Sequence, residues 1–373
     1  MTTRDSLQQL LKRLVVKIGS SVLTNAHGQW LPSRIDQLVD QIAACRAQSR
    51  QVVLVSSGAI ACGMAELELR QRPKSLAQLQ ACAAVGQGLL MHVYTQSFAR
   101  HRIRVGQLLL TQDDLSTRSR FRNAKQTLLA LLHRRIVPIV NENDTVAVEE
   151  ITFGDNDRLA ALVASAISAQ GLVVLSDVDG FLQDGRVVDQ IDVVNQTHRS
   201  AAGSAQRQTT KGGMASKLEA ARIAGHSGIP MIIANGTTAG TLTRLVAGQT
   251  LGTVFVPPRS RLTSKQWWIA FALRRPHGTV VIDSGAARAL IEQGRSLLAS
   301  GIQEIQGRFE SGACIAIVES GGRELGRGIC AYSSAELNRI QGLKSAPASQ
   351  ELGRPVREVI HRNQLVLLQD TPQ

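Results

Sequence analysis

Residues 15–22 read Val-Val-Lys-Ile-Gly-Ser-Ser-Val, an apolar run broken only by Lys17 and closing on a Gly-Ser-Ser turn. A run this short, rich in β-branched residues and bounded by turn formers, reads as a buried strand, Leu14–Ile18. Working outward, the same pattern recurs at Val52–Val55, Val105–Leu110, Ile136–Val140, Leu172–Leu175 and Pro230–Ala234, each one helical segment from the next. One of those segments can be read closely. Leu159, Leu162, Val163, Ala166 and Ile167 fall at helical spacing and form one apolar stripe. Continuous apolar strands alternating with helices specify a mostly parallel sheet covered on both faces, a three-layer αβα sandwich over residues 1–259.

The alternation stops at Pro257-Pro258. Residues 260–277 read as a linker holding a connecting helix around Trp267-Trp268 and ending in Arg275-Pro276-His277-Gly278. Beyond it, short runs with frequent glycine (Thr279–Ile282, Ile302–Gln306, Cys314–Val318, Gly326–Ala331, Val356–Leu368) and one helix near Ala286–Gln293 predict a small β-barrel-like module over residues 278–362.

The hydrophobic share of 43% supports a large core, but aromatics are only 3%, so that core must be aliphatic. Few aromatics also argue against a reader of single-stranded nucleic acid that stacks bases. The formal net charge of +13 is dispersed: residues 260–373 hold 14 Lys and Arg against 10 Asp and Glu, and the first 259 hold 28 against 19. A basic surface that attracts anionic substrates accounts for this without a nucleic-acid tail. Five scattered cysteines without a CxxC pair suit a reducing compartment. With no signal-peptide core and no apolar run near the roughly 20 residues that cross a bilayer, the expectation is a cytoplasmic protein without a membrane partner.

Ligands of parallel α/β sheets bind outside the carboxyl ends of the strands, and polar segments recur there. Lys17 with Gly19 is either a phosphate contact or a plain strand-to-helix turn; no GxxxxGK[ST] loop is present. Ser56-Ser57-Gly58 is a second such turn, equally suited to helix capping. Asn141-Glu142-Asn143-Asp144 puts four polar residues at one strand end, more than a solvated loop requires. Gly154-Asp155-Asn156-Asp157 carries more acidic and amide groups than one helix cap uses. Ser176-Asp177-Val178-Asp179-Gly180 is a nucleotide-side turn or a simple Asp-Gly turn. In Lys211-Gly212-Gly213-Met214-Ala215-Ser216-Lys217, glycines and lysines open a helix, the unfavourable charge sign for that end unless an anion binds.

Taken in order, VVKIGSSV, VVLVSSGAI, VPIVNENDTVA, GDNDRLAAL, VVLSDVDG and KGGMASK resemble the amino acid kinase family, most closely its glutamate-phosphorylating members. DSGAARAL, SLLASGIQEIQGRFESG and AYSSAELNRIQG resemble the PUA domain that follows many of them. The resemblance implies transfer of the γ-phosphoryl group of ATP, with Mg²⁺, to the side-chain carboxylate of L-glutamate, the first step of proline synthesis. It implies catalytic roles for Lys17, Lys217 and Asp157, and glutamate contacts from Ser57, Asp144, Asn156 and Asp155. The nucleotide side falls to Lys17, Gly19, Ser176, Asp177, Lys211, Gly212, Gly213, Met214, Ala215, Ser216 and Lys217, with no metal held by protein side chains. Proline as feedback inhibitor, with the loop Thr111–Thr127 near its site, and a homo-oligomer are further implications. Lys211 stands where the family usually has Thr, the segment after Asp177 is shorter than usual, and Ala313 replaces a common Asp. Relatives acting on acetylglutamate, aspartate, carbamate or UMP are the near alternatives, and RNA binding through the PUA-like module is the alternative of a different class.

Overall fold

The computed structural model describes residues 12–146, 156–192, 194, 198, 213–258, 264–271 and 276–368. They form two compact units, divided between Arg261 and Leu262.

The first unit is built on an eight-stranded sheet. In chain order its strands are β1 (Arg13–Ile18), β2 (Gln51–Ser56), β3 (Val105–Leu110), β4 (Val137–Glu142), β5 (Gly171–Ser176), β8 (Gln190–Ile191), β9 (Met231–Asn235) and β10 (Thr253–Phe255). A separate hairpin pairs β6 (Leu182–Gln183) with β7 (Arg186–Val187). The sheet order is β3-β4-β2-β1-β5-β9-β10-β8. The first six are mutually parallel, and β10 runs antiparallel to β9. From β1 the chain winds first toward β2 and later toward β5, so the direction of winding reverses at the centre of the sheet. A crevice at the carboxyl ends results there.

Side chains alternate across a strand, and β1 shows what that does. Leu14, Val16 and Ile18 enter a core with Ile35, Leu38 and Ile42 of the helix Pro32–Ala47 and with Tyr94 and Phe98 of the helix Leu76–Ala99. Val15 and Lys17 take the opposite face, under the helix Asn156–Ala166. The expected stripe is buried, Leu159, Leu162, Val163 and Ala166 on that helix and Ile167 just past its end. The other faces of the helix are buried as well, Ala160, Ala161 and Ala164 included. The six expected strands are present, Val105–Leu110 with the ends expected and the others shifted by at most two residues at an end.

The shift matters at β4. The strand runs on through Asn141 and Glu142, which are inside the sheet and buried rather than in a loop beyond it. Asn141 is tolerated there because it is hydrogen-bonded on both its amide atoms. The segment 111–127 is likewise helical, not a loop: Gln112–Ser116 and Arg118–His133 follow β3 directly. The Asp114 carboxylate accepts from the backbone N–H (2.8 Å) and hydroxyl (2.7 Å) of Thr111, which folds this turn onto the end of β3. The short segment after Asp177 makes the β6–β7 hairpin, with Asp184 and Gly185 both at positive φ (51° and 76°) as a tight two-residue turn requires.

The second unit has a five-stranded sheet of order β12-β11-β13-β14-β15. Its strands are β11 (Thr279–Ile282), β12 (Ile302–Gln306), β13 (Cys314–Glu319), β14 (Glu324–Ile329) and β15 (Leu365–Leu367). Only β11 and β13 pair in parallel. The helix Ser264–Phe271 belongs to this unit and buries Trp267, Ile269 and Phe271. The helix Ser284–Gln293 is capped by Asp283, whose carboxylate accepts from Ala286 N–H. Two helices not foreseen, Ser334–Ile340 and Ser345–Leu352, complete the core through Leu337, Ile340 and Ala348. The first carries a capping box between Ser333 and Glu336, legible in the sequence as S-x-x-E. The expected strand over residues 356–368 is mostly irregular. Ile360 makes one bridge to Leu297, a 3₁₀ turn follows at Arg362–Gln364, and pairing is confined to β15.

Candidate active site

The carboxyl ends of β1, β2, β4 and β5 converge with the start of two helices, Asn156–Ala166 and Met214–His226. At the centre lies Asp157, fully buried in the first turn of its helix. Its Oδ1 meets Lys17 Nζ at 2.7 Å, and its Oδ2 meets Lys217 Nζ at 3.4 Å. Oδ2 also accepts from the Ser216 hydroxyl at 2.7 Å. Each partner arrives from a different element: Lys17 from β1, Ser216 and Lys217 from the second helix. Lys17 and Lys217 are themselves only 5% and 6% exposed.

The electrostatics follow from this burial. Desolvation pushes the Asp157 carboxyl up, but the Lys17 and Lys217 ammonium groups together overcome it and hold the group below the ordinary carboxylate range. For Lys217, burial pushes the ammonium down and the charge of Lys17 adds to that. Asp157 and Asp177 oppose it without restoring the usual value. Two buried ammonium groups side by side at the mouth of the sheet are suited to an anionic ligand. The helix Met214–His226 starts at Gly213 with no side-chain cap, so its amino-terminal dipole adds to that field.

A second cluster adjoins the first through the neighbouring residue. Asn156 Nδ2 donates to Ser57 Oγ (3.0 Å) and to Asn141 Oδ1 (3.0 Å), while Asn141 Nδ2 donates to Gln87 Oε1 (2.8 Å). Asn156 Oδ1 is buried and has no hydrogen-bond partner among the described residues. A buried acceptor in that condition suits a ligand donor such as an ammonium. Ser57 follows β2, and Gly58 after it takes φ 110°. An added Cβ there would stand 3.0 Å from Leu23 and 3.2 Å from Trp30, so the turn requires glycine. Asp144, just past β4, is half-buried, and desolvation raises its carboxyl to about 6 against the opposing charge of Arg72.

Gly19 closes β1 and donates its N–H to Leu175 O (3.0 Å), and Ser176 O accepts from Gly236 N (2.7 Å). Ser176 Oγ donates to Asp177 Oδ1 (3.0 Å). Met214 and Ala215 form the first turn of their helix. Asp155, Lys211 and Gly212 lie outside the described residues. Lys17, Asp157, Ser216 and Lys217 are thus brought into one cluster, and Ser57 and Asn156 into the next. Asn141 and Gln87 were missed as site residues. Asn141 stood in the quoted strand-end run, but Gln87 sits mid-helix with no local signal.

Residues 12–235 match the amino acid kinase family, and residues 278–351 match the PUA domain. The chain belongs to the amino acid kinase family. Within it the full-length likeness is to glutamate 5-kinases. The chain is 44% identical to those of Geobacter metallireducens and Geobacter sp. strain M21, over 98% of this chain and 100% of each relative. It is 43% identical to that of Caldanaerobacter subterraneus subsp. tengcongensis, over 96% of this chain and 98% of the relative. Among solved structures, the UMP kinase of Bacillus anthracis aligns with a TM-score of 0.45 at 14% identity, covering 68% of this chain and 98% of that one.

Proposed function

We infer that this protein is an ATP-dependent kinase that phosphorylates the side-chain carboxylate of L-glutamate to L-glutamyl 5-phosphate. The observation that carries the reading is the buried carboxylate of Asp157 bridging Lys17 and Lys217 at the mouth of the sheet, taken with the full-length likeness to glutamate 5-kinases.

The acceptor carboxylate is ionised at neutral pH and needs no base to activate it. The work left to the protein is alignment and neutralisation of charge on the group in transit. We assign Lys17 and Lys217 to the phosphoryl oxygens, and Asp157 to holding both ammonium groups, with Ser216 fixing the carboxylate from a third direction. Ser57, Asn156, Asp144 and Asp155 are assigned to glutamate. The orphaned Oδ1 of Asn156 and the carboxylate of Asp144 are suited to its α-ammonium. The nucleotide falls to Gly19, Ser176, Asp177 and residues 211–217. Mg²⁺ bound with ATP would supply charge neutralisation for the phosphoryl group. We assign the ion mainly to phosphate and water oxygens.

On the same reading residues 1–259 are the kinase domain and 278–362 the PUA domain, joined by 260–277. Proline feeds back on the glutamate site beside the 111–127 segment, and the enzyme works as a homo-oligomer. No helix among the described residues is long and apolar enough to cross a membrane. The five cysteines are free and buried, in keeping with the cytosol. The test is formation of glutamyl hydroxamate from glutamate, ATP, Mg²⁺ and hydroxylamine. Wild type should form it, Lys217→Ala should lose about 10²–10³ in rate, and folded wild-type protein that forms none refutes the assignment.

A further inference from the structure

At the opposite ends of the strands, a cavity of about 610 Å³ opens where β2 and β4 begin. Val52 and Val137, the early residues of those strands, line it with Ile103 and Leu132. Arg46, Arg50 and Arg135 also line it, with neutral residues such as Ser49 and Gln51 between them, and no Asp or Glu does. The nearby Asp40 is already engaged, by Arg100 Nη2 at 3.0 Å and His101 Nε2 at 2.7 Å. The kinase reaction uses none of these residues, because β2 separates them from Ser56 by roughly 17–20 Å of extended chain.

Solvated surface arginines would be an adequate account of the rim except for Arg46. Its Nη2 donates to Arg135 O at 2.7 Å, while its Nη1 is closed off from solvent with no acceptor. A guanidinium with a buried unsatisfied donor is a costly arrangement that an oxyanion relieves. Burial and the charge of Arg135 both push the Arg46 guanidinium down from its usual value, as expected of a cation with no counter-ion at hand. Arg135 also holds a left-handed backbone (φ 59°), a conformation disfavoured for a non-glycine residue. Its N–H donates to Leu132 O at 3.0 Å.

We propose that this cavity is a second ligand site, for a small organic anion whose phosphate or carboxylate pairs with Arg46, Arg50 and Arg135 while its apolar body lies against Ile103 and Leu132. The volume is within the ordinary range for small-molecule sites, and guanidinium forks match both head groups. The site is independent of the kinase assignment.

The test is calorimetric titration of the full chain with phenyl phosphate in one arm and benzoate in the other. Each is run on wild type, Lys217→Ala, Arg50→Gln and Arg50→Gln/Arg135→Gly. Glycine accepts φ 59° without strain, so the double variant should keep its fold, and Arg50→Gln reads the site alone if it does not. Binding that survives Lys217→Ala and weakens at least tenfold in the arginine variants supports the site, and the tighter arm identifies the head group. Isotherms unchanged by the arginine substitutions in both arms, or abolished by Lys217→Ala alone, overturn it.

Discussion

Replacing Asp157 by Asn removes one negative charge while keeping the side-chain shape, and leaves two ammonium groups nearly without solvent. A buried ion pair broken on one side costs about 3–5 kcal/mol, because the surviving charge stays desolvated. The scale agrees with direct Coulomb energy, about 4 kcal/mol for a unit pair at 4 Å in an effective dielectric of about 20. For a unit of this size the loss should lower the melting temperature of the kinase unit by roughly 10 °C. The pH dependence distinguishes this cause from lost packing. In wild type the Asp157 carboxyl is depressed, so its contribution is complete above the ordinary carboxylate value of about 3.9 and is lost as pH falls through its lower native value. In the variant, Lys217, already depressed, gives up its proton more readily. The deficit should therefore be full at neutral pH and shrink as pH rises toward about 10, where unfolded lysine also deprotonates. Calorimetric melts of both proteins at pH 7 and pH 9.5, without ligand, measure this. An Asp157→Asn protein melting within about 2 °C of wild type at pH 7, or with a deficit unchanged at pH 9.5, would refute the claim that the triad is held by mutual charge compensation.

Asp144 should impose a pH dependence on glutamate binding: KM for glutamate falls as pH rises through about 6, and Asp144→Asn flattens the profile while raising KM about tenfold or more. Because burial raises this carboxyl, its ionised form weighs against the empty folded state above pH about 6. Asp144→Asn should then melt slightly higher at pH 7 despite the loss of affinity, and a lower melt would count against it. In the helix Leu76–Ala99, Gly86 and Gly88 should behave oppositely. A Cβ on Gly86 would fall 1.9 Å from Ala59 O, whereas one on Gly88 meets nothing within 4 Å. Gly88→Ala should stabilise by up to about 1 kcal/mol, and Gly86→Ala should destabilise by about 2 kcal/mol or more by forcing apart the helices Ala59–Glu66 and Leu76–Ala99. Urea melts showing the two substitutions equivalent would refute that close approach.

The parallel sheet was legible because its determinants are local. Valine- and isoleucine-rich runs, Gly-Ser turns and the 159–167 stripe each act within a few residues, and burial on both faces leaves an uninterrupted apolar signature. The strand-end positions of Lys17 and Ser57, and the helix-start positions of Asn156 and Lys217, were legible for the same reason. Less was visible in the second unit, where glycine and short runs hid two helices, one of them marked only by the Ser333–Glu336 box. Nothing local distinguishes Gln87 from any other glutamine on a half-exposed helix; its bond to Asn141 spans 54 residues.

Sequence alone therefore determined which residues sit at the mouth of the sheet, since strand polarity and turn chemistry are short-range properties. Tertiary structure decided which of them touch. That Lys17 and Lys217, 200 positions apart, share one carboxylate, and that Asn156 turns instead to Ser57 and Asn141, depends on β1 lying between β2 and β5 and on two helices starting over the same crevice. Such contacts are products of strand order, which pattern within a segment does not encode. The arginine-lined cavity at the far ends of the strands belongs to the same category: Arg46, Arg50 and Arg135 become neighbours only when β2 and β4 pair in the folded sheet.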